Sequence, residues 1–69
     1  MKESNAQFKL LELRRSLGYT QLKLGLLVAR EIKKHFSKPY AQKKISQWES
    51  GITRPNEEES NALAHLFGL

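Results

Sequence analysis

"QKKISQWESG" (residues 42–51) carries two lysines, two glutamines and two serines around Ile45 and Trp48, and stops on Gly51. Placed on a helical wheel at about 100° per residue, Ala41, Ile45, Trp48 and Glu49 fall on one side. Lys43, Gln47 and Ser50 point away from it, and Ser46 and Lys44 flank them. Gln42 lies at the border, near the helix start, where a long side chain can leave along the axis. The outer side is therefore long, polar and neutral or positive, with no acid on it. The stretch reads as a helix anchored by Ile45 and Trp48 and ended by a left-handed glycine.

Helix signals extend in both directions. Towards the N-terminus, "SKPY" (37–40) breaks one pattern and opens another. Pro39 cannot continue a preceding helix but fits the first turn of a new one, with Ser37 or Lys38 as its cap. Before it, Thr20 is an N-cap candidate, and Leu24, Val28 and Ile32 repeat every four residues. Leu22, Leu26 and Leu27 widen the apolar surface, and no breaker intervenes before Ser37, so this second helix is expected to run to about Phe36. Gly25 inside it costs about 1 kcal/mol relative to Ala, which calls for a neighbouring helix crossing close to its backbone. Further upstream, Ser4 with Gln7 forms a capping-box pattern. Ala6, Leu10, Leu13 and Leu17 follow at helical spacing, and Gly18 closes that helix. Downstream, "ITRP" (52–55) is a loop. Asn56 with Glu59 is a second capping box, opening a helix that buries Leu63, Leu66 and Phe67 and ends at Gly68. Four helices and no strand pattern predict an all-α domain.

The chain has 69 residues, enough for one small domain with a thin core. No cysteine is present, which excludes disulfide staples and thiolate metal sites. No apolar run approaches the roughly 20 residues of a membrane span, and the N-terminus lacks the apolar stretch of a signal peptide. The net charge is +5. Arg14, Arg15, Lys23, Arg30, Lys33, Lys34, Lys38, Lys43, Lys44 and Arg54 face only Glu31 and Glu49 over the same interval, with Glu57, Glu58 and Glu59 just beyond. A basic middle beside an acidic edge suits a polyanion such as nucleic acid or an anionic membrane; the plainer reading is a solubilising surface. The outer tips of residues 42–50 are of the kind that read DNA base edges. Gln pairs bidentately with adenine, and Lys reaches guanine O6/N7. An ordinary solvated helix face is the alternative.

"LRRSLGYTQLKLG" (13–25), followed by "ISQWESG" (45–51) and "TRP" (53–55), resembles the helix-turn-helix domain of phage Cro- and repressor-type regulators, the xenobiotic-response-element family. The matching residues are Leu10, Leu13, Arg14, Gly18, Thr20, Gln21, Leu24, Gly25 at the usual Ala position, Ile45, Ser46, Trp48, Glu49, Gly51 and Pro55. The resemblance covers nearly the whole chain and implies a single four-helix, lambda-repressor-like domain over residues 1–69. The interval from Thr20 to Ile45 is longer than the family's. The extra residues are expected to extend helix two through "AREIKKHF" and lengthen the turn through "SKPY". POU-specific domains resemble this lengthened arrangement, and share the pattern of Leu17, Gly18, Tyr19, Thr20, Gln21 and Gly25. "WESGITRP" is more similar to the bacterial and phage branch.

By this resemblance Gln42, Lys43 and Gln47 match base-reading positions, with Ser46 a further candidate. Lys43 suits a phosphate equally well. Gln21, at a helix N-terminus that favours an anion, matches a residue that holds a backbone phosphate and braces the first recognition glutamine, here Gln42. Thr53, Arg54, Lys44 and Lys38 are candidate phosphate contacts, and Lys33, Lys34 and His35 make the insertion basic. Arg14 and Glu49 match a structural ion pair. Trp48 is read as core, since Ile45 shares its face. His35 and His65, without Cys or Asp in the chain, make no metal site, and no cofactor is expected. Glu57–Glu59 is read as an acidic first turn that complements the helix dipole.

The resemblance implies sequence-specific binding of double-stranded DNA by a cytoplasmic, nucleoid-associated transcriptional regulator of bacterial or phage type, or a nuclear one if the POU-like likeness governs. An antitoxin or restriction-system controller would share these features. A homodimer would need regions not evident in these residues, because nothing after Leu69 supplies the fifth helix that many members use. The other class of reading is a membrane-surface or protein-binding helix, since "LKLGLLVAREIKKHF" is basic and amphipathic in its second half. No nucleophile–base set, glycine-rich phosphate loop or ligand cluster points to an enzyme.

Overall fold

The computed structural model describes the backbone of residues 2–69 and the side chains of residues 9–69. Four helices follow one another: α1 (Lys2–Ser16), α2 (Gln21–Glu31), α3 (Lys38–Ser50) and α4 (Glu57–Leu66). Among the described residues there is no strand. The Ser4–Gln7 capping box and Ala6 lie outside the described side chains.

Local chemistry accounts for the remaining starts. Thr20 accepts a hydrogen bond from the Lys23 N–H through Oγ1 (3.0 Å) and caps α2. Ser37 does the same for Tyr40 (3.4 Å) ahead of Pro39 in the first turn of α3. Asn56 and Glu59 form the full reciprocal box on α4: the Glu59 N–H donates to Asn56 Oδ1 (2.8 Å), and the Asn56 N–H donates to Glu59 Oε1 (2.9 Å). Each cap satisfies N–H groups that the helix itself leaves without acceptors.

All four helices end in the same way. After each, two successive N–H groups turn back onto carbonyls of the last turn, as in a Schellman motif. The pairs are Gly18→Arg15 with Tyr19→Arg14, Lys33→Arg30 with Lys34→Ala29, Gly51→Trp48 with Ile52→Gln47, and Gly68→His65 with Leu69→Ala64. The left-handed position is glycine in three of them, at φ of 74°, 81° and 73°. In α2 it is Lys33, at φ 58°.

This corrects the expected extent of helix two. It does not reach Phe36 but stops at Glu31, and residues 32–37 form a connection that leads into α3. Residues 32–37 are therefore a connection and not a continuation of α2. The gain that offsets a left-handed lysine is burial of Phe36, which is 8% exposed and packs with Ala29 and Ala41 against Leu22, Leu26 and Ile32. Its ring meets that of Tyr40 edge-on, with centroids 5.0 Å apart.

The larger core cluster joins Leu24, Val28, Ile45, Trp48, Ala62 and Leu63, with Leu10, Tyr19, Ile32, Leu66 and Phe67 packed at its rim. Trp48 is thus core, as expected. Leu17 departs from its expected inward position: it lies past the end of α1 and is exposed. α3 packs chiefly against α2, and Gly25 makes that approach possible. A Cβ on Gly25 would lie 2.3 Å from the Ala41 carbonyl oxygen. The crossing is closer than a residue with a Cβ would permit without a shift of the backbone.

Candidate nucleic-acid interface

α3 is held in the domain by an ion pair on each flank of its buried stripe. On one flank, Glu49 receives Arg14 from α1 in a bidentate contact, Nε to Oε2 and Nη2 to Oε1, the latter at 3.2 Å. Arg14 Nη1 also donates to the Tyr19 carbonyl (2.9 Å). Gln21 Nε2 from α2 donates to the same Oε1 (3.0 Å). One carboxylate on α3 therefore gathers α1 and α2, and the matched geometry of guanidinium and carboxylate makes this a strong contact.

On the other flank, Lys44 Nζ lies 2.7 Å from Glu59 Oε2 on α4. The ammonium also stands over the rings of Phe36, Tyr40 and Trp48, at 5.7, 5.4 and 5.5 Å from their centroids. Each ring face adds cation–π attraction. Burial opposes the charge on Lys44, but the hydrogen bond and charge of Glu59 outweigh it, with a smaller contribution from Tyr40, and its pKa is raised. Glu59 in turn uses both oxygens, one on Lys44 and one on the Asn56 N–H.

Two of the candidate contacts have partners inside the domain. Lys44, a candidate phosphate contact, holds its ammonium against Glu59 and three rings. Gln21, a candidate brace for Gln42, donates its amide nitrogen to Glu49. Glu59, read from sequence as the capping-box partner of Asn56 and part of an acidic first turn, is in addition a buried structural acid at 4% exposure. The signal that could have found it is the capping box itself, because a carboxylate folded back onto Asn56 is already drawn towards the body of the domain.

What remains on the outer side of α3 is Gln42, Lys43, Ser46 and Ser50, all exposed, with Gln47 half-buried. Ser50 Oγ donates to the Ser46 carbonyl (3.0 Å), so its hydroxyl proton is used within the helix. Glu49 is the one acid in α3, and it faces Arg14. The outer face is therefore free of negative charge for a structural reason. Lys38 is exposed at the start of the helix, and Thr53 and Arg54 are exposed in the loop after it. Gln21 stands at the first position of α2, half-buried.

The basic insertion divides in direction. Lys34 Nζ lies 3.6 Å from Glu58, and Lys33 lines a shallow groove with Glu31, Ile32, Glu58, Asn61 and Ala62. These lysines thus meet the acidic side of α4. His65 Nδ1 is 2.8 Å from Glu31 Oε1 on the same side. His35 is exposed. The apolar side of "LKLGLLVAREIKKHF" is occupied by the domain's own core, with Leu24 and Val28 fully buried. No described helix is long and apolar enough to cross a membrane. Comparison with protein-family models, curated proteins and solved structures finds no match to this chain.

Proposed function

We propose that the protein is a sequence-specific DNA-binding module of a transcriptional regulator, which docks α3 in the major groove. The observation that carries this reading is the acid-free outer face of α3. It offers Gln42, Lys43, Ser46 and Gln47, while the helix's single carboxylate is turned onto Arg14. A helix fits the width of the major groove, and amide and ammonium tips match the acceptors and donors of base edges there. Lys38, Thr53 and Arg54 are suited to the phosphates that border the groove, and Gln21 at the start of α2 adds a neutral donor near helix N–H groups.

An antitoxin or a restriction-system controller would use the same binding activity, so these share one biochemical function. A membrane-surface role has less support, because inserting the apolar side of α2 would require opening the core that it fills. The domain acts by binding rather than catalysis in this reading, in the cytoplasm or on the nucleoid.

The test is selection of bound duplexes from a random library, followed by affinities for the selected and a scrambled duplex at several salt concentrations. Enrichment of a defined site supports the reading and reports its symmetry. Recovery of no preferred sequence, with equal affinity for every duplex, overturns it.

A further inference from the structure

The two ion pairs flanking α3 have a joint geometric effect. Around the α3 axis, Lys44 stands about 100° from Ile45 on one side, and Glu49 about 40° on the other. The buried stripe of Ala41, Ile45 and Trp48 lies between them. Apolar burial is non-directional and by itself sets no fixed angle about the helix axis. A directional contact on each flank opposes rolling in both senses. Glu49 is held by α1 and α2, and Lys44 by α4.

The Lys44 contact is built to hold position. Outside α3 its ammonium meets the Glu59 carboxylate and the Phe36 ring, besides the Tyr40 and Trp48 rings of its own helix, and its side chain is only 22% exposed. Glu59 cannot swing away without giving up its half of the capping box, the bond it accepts from the Asn56 N–H. We infer that Lys44 and Glu59 are positioning residues that, acting against Arg14 and Glu49, fix the rotation of α3 about its axis and hence which side chains it presents to DNA. This rests on the DNA-reading function proposed above, but the rotation of α3 can be measured without DNA.

Lys44→Met keeps an apolar stem against the three rings and removes the charge. Glu59→Gln keeps an acceptor for the Asn56 N–H and removes the charge of the partner. For both, the folded state is verified, and nuclear Overhauser contacts of the Trp48 indole and the Gln47 side chain report the rotation of α3. Affinities are then measured for the selected duplex, its single-base-pair variants and a scrambled duplex. The expected result is altered indole contacts and a loss of roughly tenfold in discrimination at base pairs that α3 reads, about the size of one lost base preference. Scrambled-duplex affinity and its salt slope stay unchanged, since no phosphate contact is removed.

A uniform loss across duplexes with a salt slope flatter by about one would make Lys44 a phosphate ligand and overturn the inference. Unaltered indole contacts with unaltered discrimination would overturn it as well. If the unsubstituted protein prefers no duplex, the DNA reading fails alone, and the indole contacts still decide the rotation.

Discussion

Arg14 on α1 and Glu49 on α3 meet as a bidentate pair, and both are largely buried, their side chains 12% and 7% exposed. Neither belongs to the apolar core, yet each stands where an apolar residue would otherwise close the helix–helix contact. Removing one partner strands the other charge and also releases Gln21 from its acceptor. Arg14→Ala and Glu49→Ala are each expected to cost about 3 kcal/mol, the lower end for a buried pair because some exposure remains. Urea unfolding measures this. An unchanged midpoint in both variants would remove the pair from the list of structural contacts.

Gly25→Ala tests the approach of α2 to α3. Helix propensity favours the alanine by about 1 kcal/mol. The added methyl would overlap the Ala41 carbonyl, a backbone atom that cannot turn aside. Forced overpacking costs about 1–3 kcal/mol, so a net loss of stability is expected. A higher melting midpoint would mean that the helices part without penalty.

Lys33→Gly addresses the end of α2. At φ 58° a glycine relieves left-handed strain, and about 0.5–1 kcal/mol of stabilisation is expected after its greater unfolded-state freedom is counted. A helix continuing to Phe36 would instead lose about 1 kcal/mol from a glycine in its interior. The sign of the change in unfolding free energy separates the two geometries.

The raised pKa of Lys44 gives a pH dependence. Because the folded protein holds this proton more tightly than the unfolded chain, the contribution is fully present below the ordinary lysine value of 10.5. It is lost as pH rises through the higher folded value. Stability of the unsubstituted protein should therefore fall more steeply above that pH than stability of Lys44→Met. Parallel alkaline profiles would contradict it.

The proposed DNA contacts leave different signatures. Gln42→Ala or Gln47→Ala should cost roughly 1–3 kcal/mol on a selected site and relax preference at one base pair, with the salt slope unchanged. Arg54→Ala should weaken selected and scrambled duplexes alike and flatten the slope by about one. Lys43→Ala decides between its two readings by which pattern it follows. If both glutamine variants keep full discrimination, α3 is not the reader.

The amino-acid sequence alone determined the four helices, the caps at Thr20 and Asn56, a cap at Ser37 or Lys38, and the three endings at Gly18, Gly51 and Gly68. Each depends on hydrogen bonds between residues a few positions apart, so the residue types state the outcome directly. It also determined which way Ile45, Trp48, Gln42, Lys43 and Ser46 face, because a helix converts spacing into direction. Tertiary structure decided the rest. α2 ends at Glu31 without a glycine, because carrying Phe36 into the second cluster outweighs a left-handed lysine, and that cluster exists only once α2 and α3 meet. Lys44 lies at the margin of its helix, where spacing permits an outward or an inward course. Three rings and the Glu59 carboxylate draw it inward, and Glu59 stands there because Asn56 holds it. Charges at such margins are assigned by partners distant in sequence, and only the folded arrangement brings those partners within reach.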